Sequence, residues 1–335
     1  MRIAYLSVLL LVYAGKLCEA IDVACARDWN NAVPSICTIL KFPIVNENEQ
    51  VTIIAQRPEL AESLYIQVDN VTRLHASFFE TFPNLNSVVI SRTRVSRINR
   101  ADLQKAVNVD DFDFNNNRIE VVEDFSFTGL NSATQLNLRG NKLIAIQRNT
   151  FDGLVSLKNI YLGDNPIKTI EDGAFNFPQL ETLSLENTKL TTLSRNFFRV
   201  NPPLGECYMS GDSLTTVGDF FDGMKNTLSW IDLSGNPIDD LSFTKFAMFP
   251  VLRFLYIAKT PFKIDGDLST AESAESKLTR ILVSEDQLSH DFIIKVHRIF
   301  KNLSDFYIQK TEHNVSFTDD DIKKSIPGVH VYRFV

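Results

Sequence analysis

ATQLNLRGNKL (133–143), LKNIYLGDNPI (157–167) and LETLSLENTKL (180–190) are three spellings of one pattern, L-x-x-L-x-L-x-x-N-x-L. Two later stretches, LSWIDLSGNPI (228–238) and LRFLYIAKTPF (252–262), spell it again. Working outward, copies begin at Ala61, Leu85, Val109, Ala133, Leu157, Leu180, Leu204, Leu228, Leu252, Leu278 and Leu303, at spacings of 23 to 26 residues and mostly 24. A shorter echo, IPGVHV from Ile326, follows them. Self-similarity at this period marks a stacked-repeat architecture, in which each unit buries its apolar face against its neighbours.

Each position of the repeat has a physical task. The fourth and sixth residues alternate with neighbours expected to be exposed, as in a strand with one buried face. The fourth column reads Leu64, Val88, Phe112, Leu136, Ile160, Leu183, Cys207, Ile231, Leu255, Ile281 and Phe306. The sixth reads Ile66, Ile90, Phe114, Leu138, Leu162, Leu185, Met209, Leu233, Ile257, Val283 and Ile308. Both columns should point inward, which makes Cys207 a buried apolar residue rather than a reactive thiol. The ninth column holds Asn117, Asn141, Asn165 and Asn236, whose amides suit the unpaired backbone groups where the chain leaves each strand. Asp69, Thr93, Thr188, Asp212, Thr260, Asp286 and Thr311 hold that column elsewhere and predict a weaker ladder. A further column, Phe127, Phe151, Phe175, Phe198 and Phe246, should stack as a spine at the back of the repeats. It accounts for much of an excess of 25 Phe against two Trp.

These repeats resemble the extracellular leucine-rich repeats of about 24 residues found in Toll-type receptor ectodomains, small matrix proteoglycans and secreted insect immune proteins. The resemblance covers residues 61 to 311 and implies an α/β solenoid, a horseshoe with a parallel β-sheet on its concave face. It implies a convex side that is mostly irregular or 3-10. Relatives often carry four cysteines in the N-terminal cap and a cysteine-rich C-terminal cap. This chain offers two and none, which points away from a membrane receptor. True helices are expected only in the last repeats. SHDFIIKVHRIFKN (289–302) has helical periodicity with Ser289 as N-cap, and Thr318 precedes DDDIKKSI, acids first and lysines last.

The chain opens like an export leader: Arg2, an apolar run from Ile3 to Ala14, and small residues at Cys18 and Ala20 before a cut. The expected organisation is a signal peptide at 1–20, an N-terminal cap at 21–60, about eleven repeats at 61–325 and a terminal capping strand at 326–335. VTII at 51–54 alternates as a strand of that cap would. No later stretch is long and apolar enough to span a bilayer, so a secreted, extracellular protein is expected. In an oxidising compartment Cys25 and Cys37 are expected to pair, closing a short loop whose constraint contributes roughly 3 kcal/mol. Asn70, Asn302 and Asn314 begin glycosylation sequons. The formal net charge of -7 becomes one unit more negative without the leader, which argues against a nucleic-acid partner.

Signals of catalysis are weak. Five histidines, His75, His290, His297, His313 and His330, sit at no metal or triad spacing. Asp319, Asp320 and Asp321 lack the glycine and later glutamate of a calcium loop and read as helix capping. Gly-rich phosphate loops are absent. No enzyme, cofactor or metal is expected. Function should lie on the concave face, where position five carries Tyr161, Tyr208, Asp232 and Tyr256 and position three carries Trp230 and Phe254. With Arg253 and Lys259 beside them, these form the expected partner site, rich in the residue types of binding hot spots. Lateral stacking that only stiffens the sheet is the alternative. Asp110, Asp111, Asp113, Asn115 and Asn116 make the third repeat's face acidic, which suits a basic partner, a cation or plain solvation. The expected function is recognition of a protein or surface ligand, by analogy in innate immunity. A structural matrix component that self-associates, or an enzyme inhibitor, is the alternative.

Overall fold

A computed structural model describes residues 6–9, 22–26, 35–41, 58–198, 200, 202–239, 241–261, 276–311 and 317–334. The VTII stretch and Asn314 lie outside them. The chain forms two compact units, residues 1–180 with 198–200, and residues 181–197 with 201–335.

The first unit carries the parallel strands Ala61–Ile66, Ser87–Ile90, Asp111–Asp113, Gln135–Asn137 and Asn159–Tyr161, each hydrogen-bonded in register to the next. Ser35–Lys41 continues the sheet in parallel before Ala61, and Asp22–Ala26 pairs with Ser35–Lys41 antiparallel. Leu6–Leu9, inside the expected leader, lies antiparallel to Asp22–Ala26. Cys25 and Cys37 are register partners in the antiparallel ladder, and Cys37 is disulfide-bonded and buried. The second unit repeats the construction with Thr182–Ser184, Glu206–Tyr208, Trp230–Asp232, Phe254–Tyr256, Arg280–Ser284, Asp305–Gln309 and His330–Phe334, all parallel.

Every residue of the fourth and sixth columns is buried. The ladder of the ninth column is built from the two ends of the Asn amide. In the first unit Asn141 Oδ1 accepts from Ile119 N at 3.0 Å, while its Nδ2 donates to Phe114 O and Leu138 O at 2.9 and 2.8 Å. Asn165 repeats this one turn later, bonding Leu143 N, Leu138 O and Leu162 O. In the second unit Asn236 does the same with Leu214 N, Met209 O and Leu233 O. At repeat ten Asp286 is exposed and the next residue takes the task, Gln287 Nε2 donating to Ile257 O and Thr260 O.

The Phe spine stands in the first unit, with ring centroids 6.1 Å apart for Phe127 and Phe151, 6.3 Å for Phe151 and Phe175, and 5.7 Å for Phe175 and Phe198. In the second unit Phe246 packs 6.4 Å from Phe221, which sits one residue before the expected phase. The two expected helices form as His290–Ile299 and Asp319–Ser325. Ser289 accepts from Phe292 N at 3.1 Å, and Thr318 and Asp321 form a reciprocal capping box. Helical structure is wider than the sequence suggests. Short helices at Ala76–Thr81, Arg100–Leu103 and Phe243–Ala247 each bury apolar side chains, so single turns form where packing, rather than propensity, holds them. Two-residue ladders, Arg97–Ile98 with Val121–Val122 and Ala145–Ile146 with Thr169–Ile170, add small parallel pairs away from the main strands.

The strands end on a device unread in the sequence. From the second repeat to the ninth, the eighth column, Arg92, Asn116, Gly140, Asp164, Asn187, Gly211, Gly235 and Lys259, has positive φ, between 53° and 73°. The chain turns there with left-handed backbone, which favours Gly and Asn. At Gly211 an added Cβ would meet Asn187 Oδ1, so that side chain would have to shift.

Candidate functional site: an aromatic and acidic sheet face

In Glu206–Tyr208, Trp230–Asp232 and Phe254–Tyr256, residues three and five of the repeat flank the buried fourth residue and stay half-exposed, in the pattern intermediate–buried–intermediate, whereas in Thr182–Ser184 all three are buried. In the second unit the register puts Glu206, Trp230, Phe254 and Arg280 in one row. Tyr208, Asp232, Tyr256 and Leu282 form the next row. Neighbours in a row stand about 4.8 Å apart. The rings meet as that spacing requires. Trp230 lies 4.4 Å from Phe254, 5.2 Å from Tyr256 in a T-shaped contact and 5.8 Å from Tyr208. Its Nε1 is buried without a hydrogen-bond partner, an unusual cost for an indole that still exposes part of its ring.

Acidic groups border the rings. Glu206 Oε2 accepts from Tyr208 OH at 3.0 Å. Asp232 Oδ1 accepts from Ser234 N at 2.9 Å. Burial pushes the Asp232 carboxyl above its usual range, and nearby Glu186 adds to that, against hydrogen bonds from Ser234 and Ser210. Tyr256 is also pushed up, first by burial.

Seven of the eight expected partner-binding residues lie in this unit, and five of them, Tyr208, Trp230, Asp232, Phe254 and Tyr256, come together. Tyr161 occupies the fifth position of Asn159–Tyr161 in the first unit. Arg253 and Lys259 are exposed, and among the described residues neither stacks on the rings. That place belongs to Arg280, whose guanidinium sits 5.1 Å from the Phe254 centroid and whose Nε lies 3.2 Å from Asp305 Oδ2. Arg280 was missed although it is the third residue of the next repeat, the same column as Trp230 and Phe254. Beyond it, Tyr307 stacks on Tyr332 at 4.8 Å.

Two acids of the third repeat are engaged internally, while Asp110 is exposed. Asp111 accepts from Ser87 Oγ and Gln135 Nε2 at 3.2 and 2.9 Å, and Asp113 accepts from Asn115 N and Nδ2 at 2.9 and 2.6 Å. Among the described residues no three His, Cys, Asp or Glu side chains gather as a metal would need, and no helix is long and apolar enough to cross a membrane. Of the sequon residues, Asn70 is half-exposed, while Asn302 is exposed and donates through Nδ2 to Ser276 O at 2.7 Å.

Cys207, beneath this face, is a free and fully buried thiol. Burial raises its pKa, and Glu186, Asp212 and Asp232 raise it further. The thiolate is the reactive form, so iodoacetamide at neutral pH should leave Cys207 unmodified in the folded chain and label it in denaturant. Rapid labelling of the folded chain, read by mass spectrometry, would contradict its place in the core.

A leucine-rich-repeat family profile matches residues 107–167 and 156–214, the part of the chain where the columns are most regular. These are leucine-rich repeats. Solved structures with leucine-rich-repeat folds superpose on the chain at low identity. The TLR13–ssRNA13 complex does so with a TM-score of 0.66 at 20% identity, over 82% of this chain and 43% of that one. The Drosophila Toll–Spatzle complex gives 0.57 at 19%, over 75% and 38%. An octameric complex of Latrophilin 3, Unc5D and the FLRT2 leucine-rich repeats gives 0.52 at 20%, over 82% and 77%. The chain spans less than half the length of the TLR13 and Toll chains. No curated protein matches it in sequence. The repeat frame is that of an α/β leucine-rich-repeat solenoid.

Proposed function

We propose that this leucine-rich-repeat chain is a secreted recognition module, without enzymatic activity, that binds a macromolecular partner through the sheet face at Tyr208, Trp230, Phe254 and Tyr256. The observation that carries the reading is the contiguous set of half-exposed rings on three successive strands. The core does not use the outer faces of these rings, and such surfaces on a soluble protein mark interaction sites. Secretion is supported by the leader-like first twenty residues, the disulfide-bonded Cys37 facing Cys25, and the sequons at Asn70 and Asn302. An immune role comes by analogy with the Toll–Spatzle complex, described as a hub in Drosophila development and innate immunity.

The TLR13 structure carries ssRNA13, so a frame of this kind does not itself bar nucleic acid. Glu206 and Asp232 lie among the rings, and a phosphate backbone placed there would meet two carboxylates. A protein partner is therefore favoured.

The test is Trp230→Ala combined with Tyr256→Ala. Partner capture from the native extracellular fluid should fall at least tenfold relative to the parent chain, while the far-UV spectrum and the melting transition persist. Unchanged capture by the folded double variant would overturn the reading.

A further inference from the structure

The second unit contains one complete cation site made from its own residues. The Phe254 ring supplies a face, the Arg280 guanidinium lies over it at 5.1 Å, and Asp305 neutralises the guanidinium at 3.2 Å. Ring, cation and carboxylate come from three successive strands in register. One repeat earlier the same ingredients recur without the cation. Asp232 lies in register between Tyr208 and Tyr256, so a ring flanks it on each side. The Trp230 ring lies beside both tyrosines, and Glu206, paired in register with Trp230, adds a second carboxylate. Among the described residues no lysine, arginine or histidine is ion-paired with Glu206 or Asp232. Arg280 is already committed to Asp305. A half-buried carboxylate walled by aromatic rings is poorly solvated, and a cation stacked on those rings relieves it.

We infer that this face takes a basic side chain, arginine above all, from a protein partner, and that the incoming guanidinium lies over Asp232 between Tyr208 and Tyr256 and against Trp230. Arginine fits better than lysine. Its planar fork stacks on a ring while its N–H groups reach a carboxylate, as Arg280 does against Phe254 and Asp305. The inference rests on the reading of this face as the partner site. It adds the chemistry of the partner, an exposed arginine on a basic segment.

The probe is a short peptide of alternating glycine and arginine, with a twin carrying uncharged citrulline at each arginine. Each is titrated into the full chain at low ionic strength by calorimetry. The arginine peptide should bind at least tenfold more tightly than the citrulline peptide. Asp232→Asn should remove most of that difference, whereas Asp110→Asn, an exposed acid of the first unit, should leave it intact. Equal affinity for the two peptides, no binding of the arginine peptide, or full arginine preference in Asp232→Asn would overturn the inference. So would a uridine oligonucleotide whose binding depends on Trp230. These outcomes are separable from failure of the binding face itself. If partner capture still depends on Trp230 and Tyr256 while the peptides bind alike, the face stands and the cation chemistry falls.

Discussion

Phe175→Ala should destabilise the first unit by roughly 3–5 kcal/mol, the usual range for emptying a buried Phe position. Phe175 is fully buried. Its ring meets Phe151, Phe177 and Phe198 at centroid distances of 6.3, 5.7 and 5.7 Å, and its backbone bridges to Phe198. Truncation leaves a cavity that rings stacked from both sides cannot collapse to fill. Stability in stacked repeats is a sum of neighbour interfaces, and this residue belongs to more than one. Denaturant unfolding followed by circular dichroism reads the total. Hydrogen exchange reads the place, with the largest loss of protection expected in repeats four and five of the first unit. Val155→Ala, at a side chain 46% exposed, is the control and should cost under about 0.5 kcal/mol. A Phe175→Ala loss as small as the control's would mean that the spine is a coincidence of spacing.

Such a spine was readable because it needs only a period. The same holds for columns four and six, for Asn141, Asn165 and Asn236, and for the caps at Ser289 and Thr318, each of which follows from residue type at fixed offset. What escaped depends on shifts of phase and on burial. Phe221 replaces the expected spine position one residue early, and Gln287 takes over from Asp286 one residue late. A strict period passes over both. The left-handed eighth column was visible as a run of Asn, Gly and Asp from Asn116 to Gly235, but Arg92 and Lys259 at its ends disguise it. Lys259 stood out for its charge, whereas the fold uses its backbone, whose N–H donates to Ser284 Oγ at 2.9 Å. The candidate face was legible in its rings and in Asp232. Its cation was not, because Arg253 is nearer in sequence while Arg280 is nearer across the ladder.

Asp212 is where the ninth column departs furthest from what its residue type suggests. Replacing it by Asn should stabilise the protein above neutral pH. The side chain is buried, and its Oδ1 accepts from Thr188 N and Oγ1, as Asn117 Oδ1 accepts from Thr93 N and Oγ1. The other end differs. Asn117 Nδ2 donates to Ile90 O and Phe114 O at 2.6 and 2.9 Å, while Asp212 Oδ2 is buried with no partner. By the translation of the column, an amide at 212 would meet the carbonyls of Leu185 and Met209, and a carboxylate has no proton for either. Burial accordingly raises the Asp212 pKa from 3.8 to about 7, outweighing the two bonds from Thr188. The direction with pH follows. Below 3.8 the folded and unfolded chains both hold the proton, and this group costs nothing. As pH rises the unfolded chain releases it first, so stability declines until the folded group ionises near pH 7 and is level above that. The full difference is roughly 4 kcal/mol at about 1.4 per pKa unit. Asp212→Asn cannot titrate and can donate to both carbonyls. Its advantage over the parent chain should approach that figure at about pH 8 and shrink towards zero at about pH 4, measured by denaturant unfolding at each pH. Other buried carboxyls, such as Asp102 raised to about 6, tilt both curves alike and cancel in the comparison. An advantage that does not vary with pH would mean that Oδ2 finds a donor in solution, and that the asparagine column tolerates a carboxylate as readily as an amide.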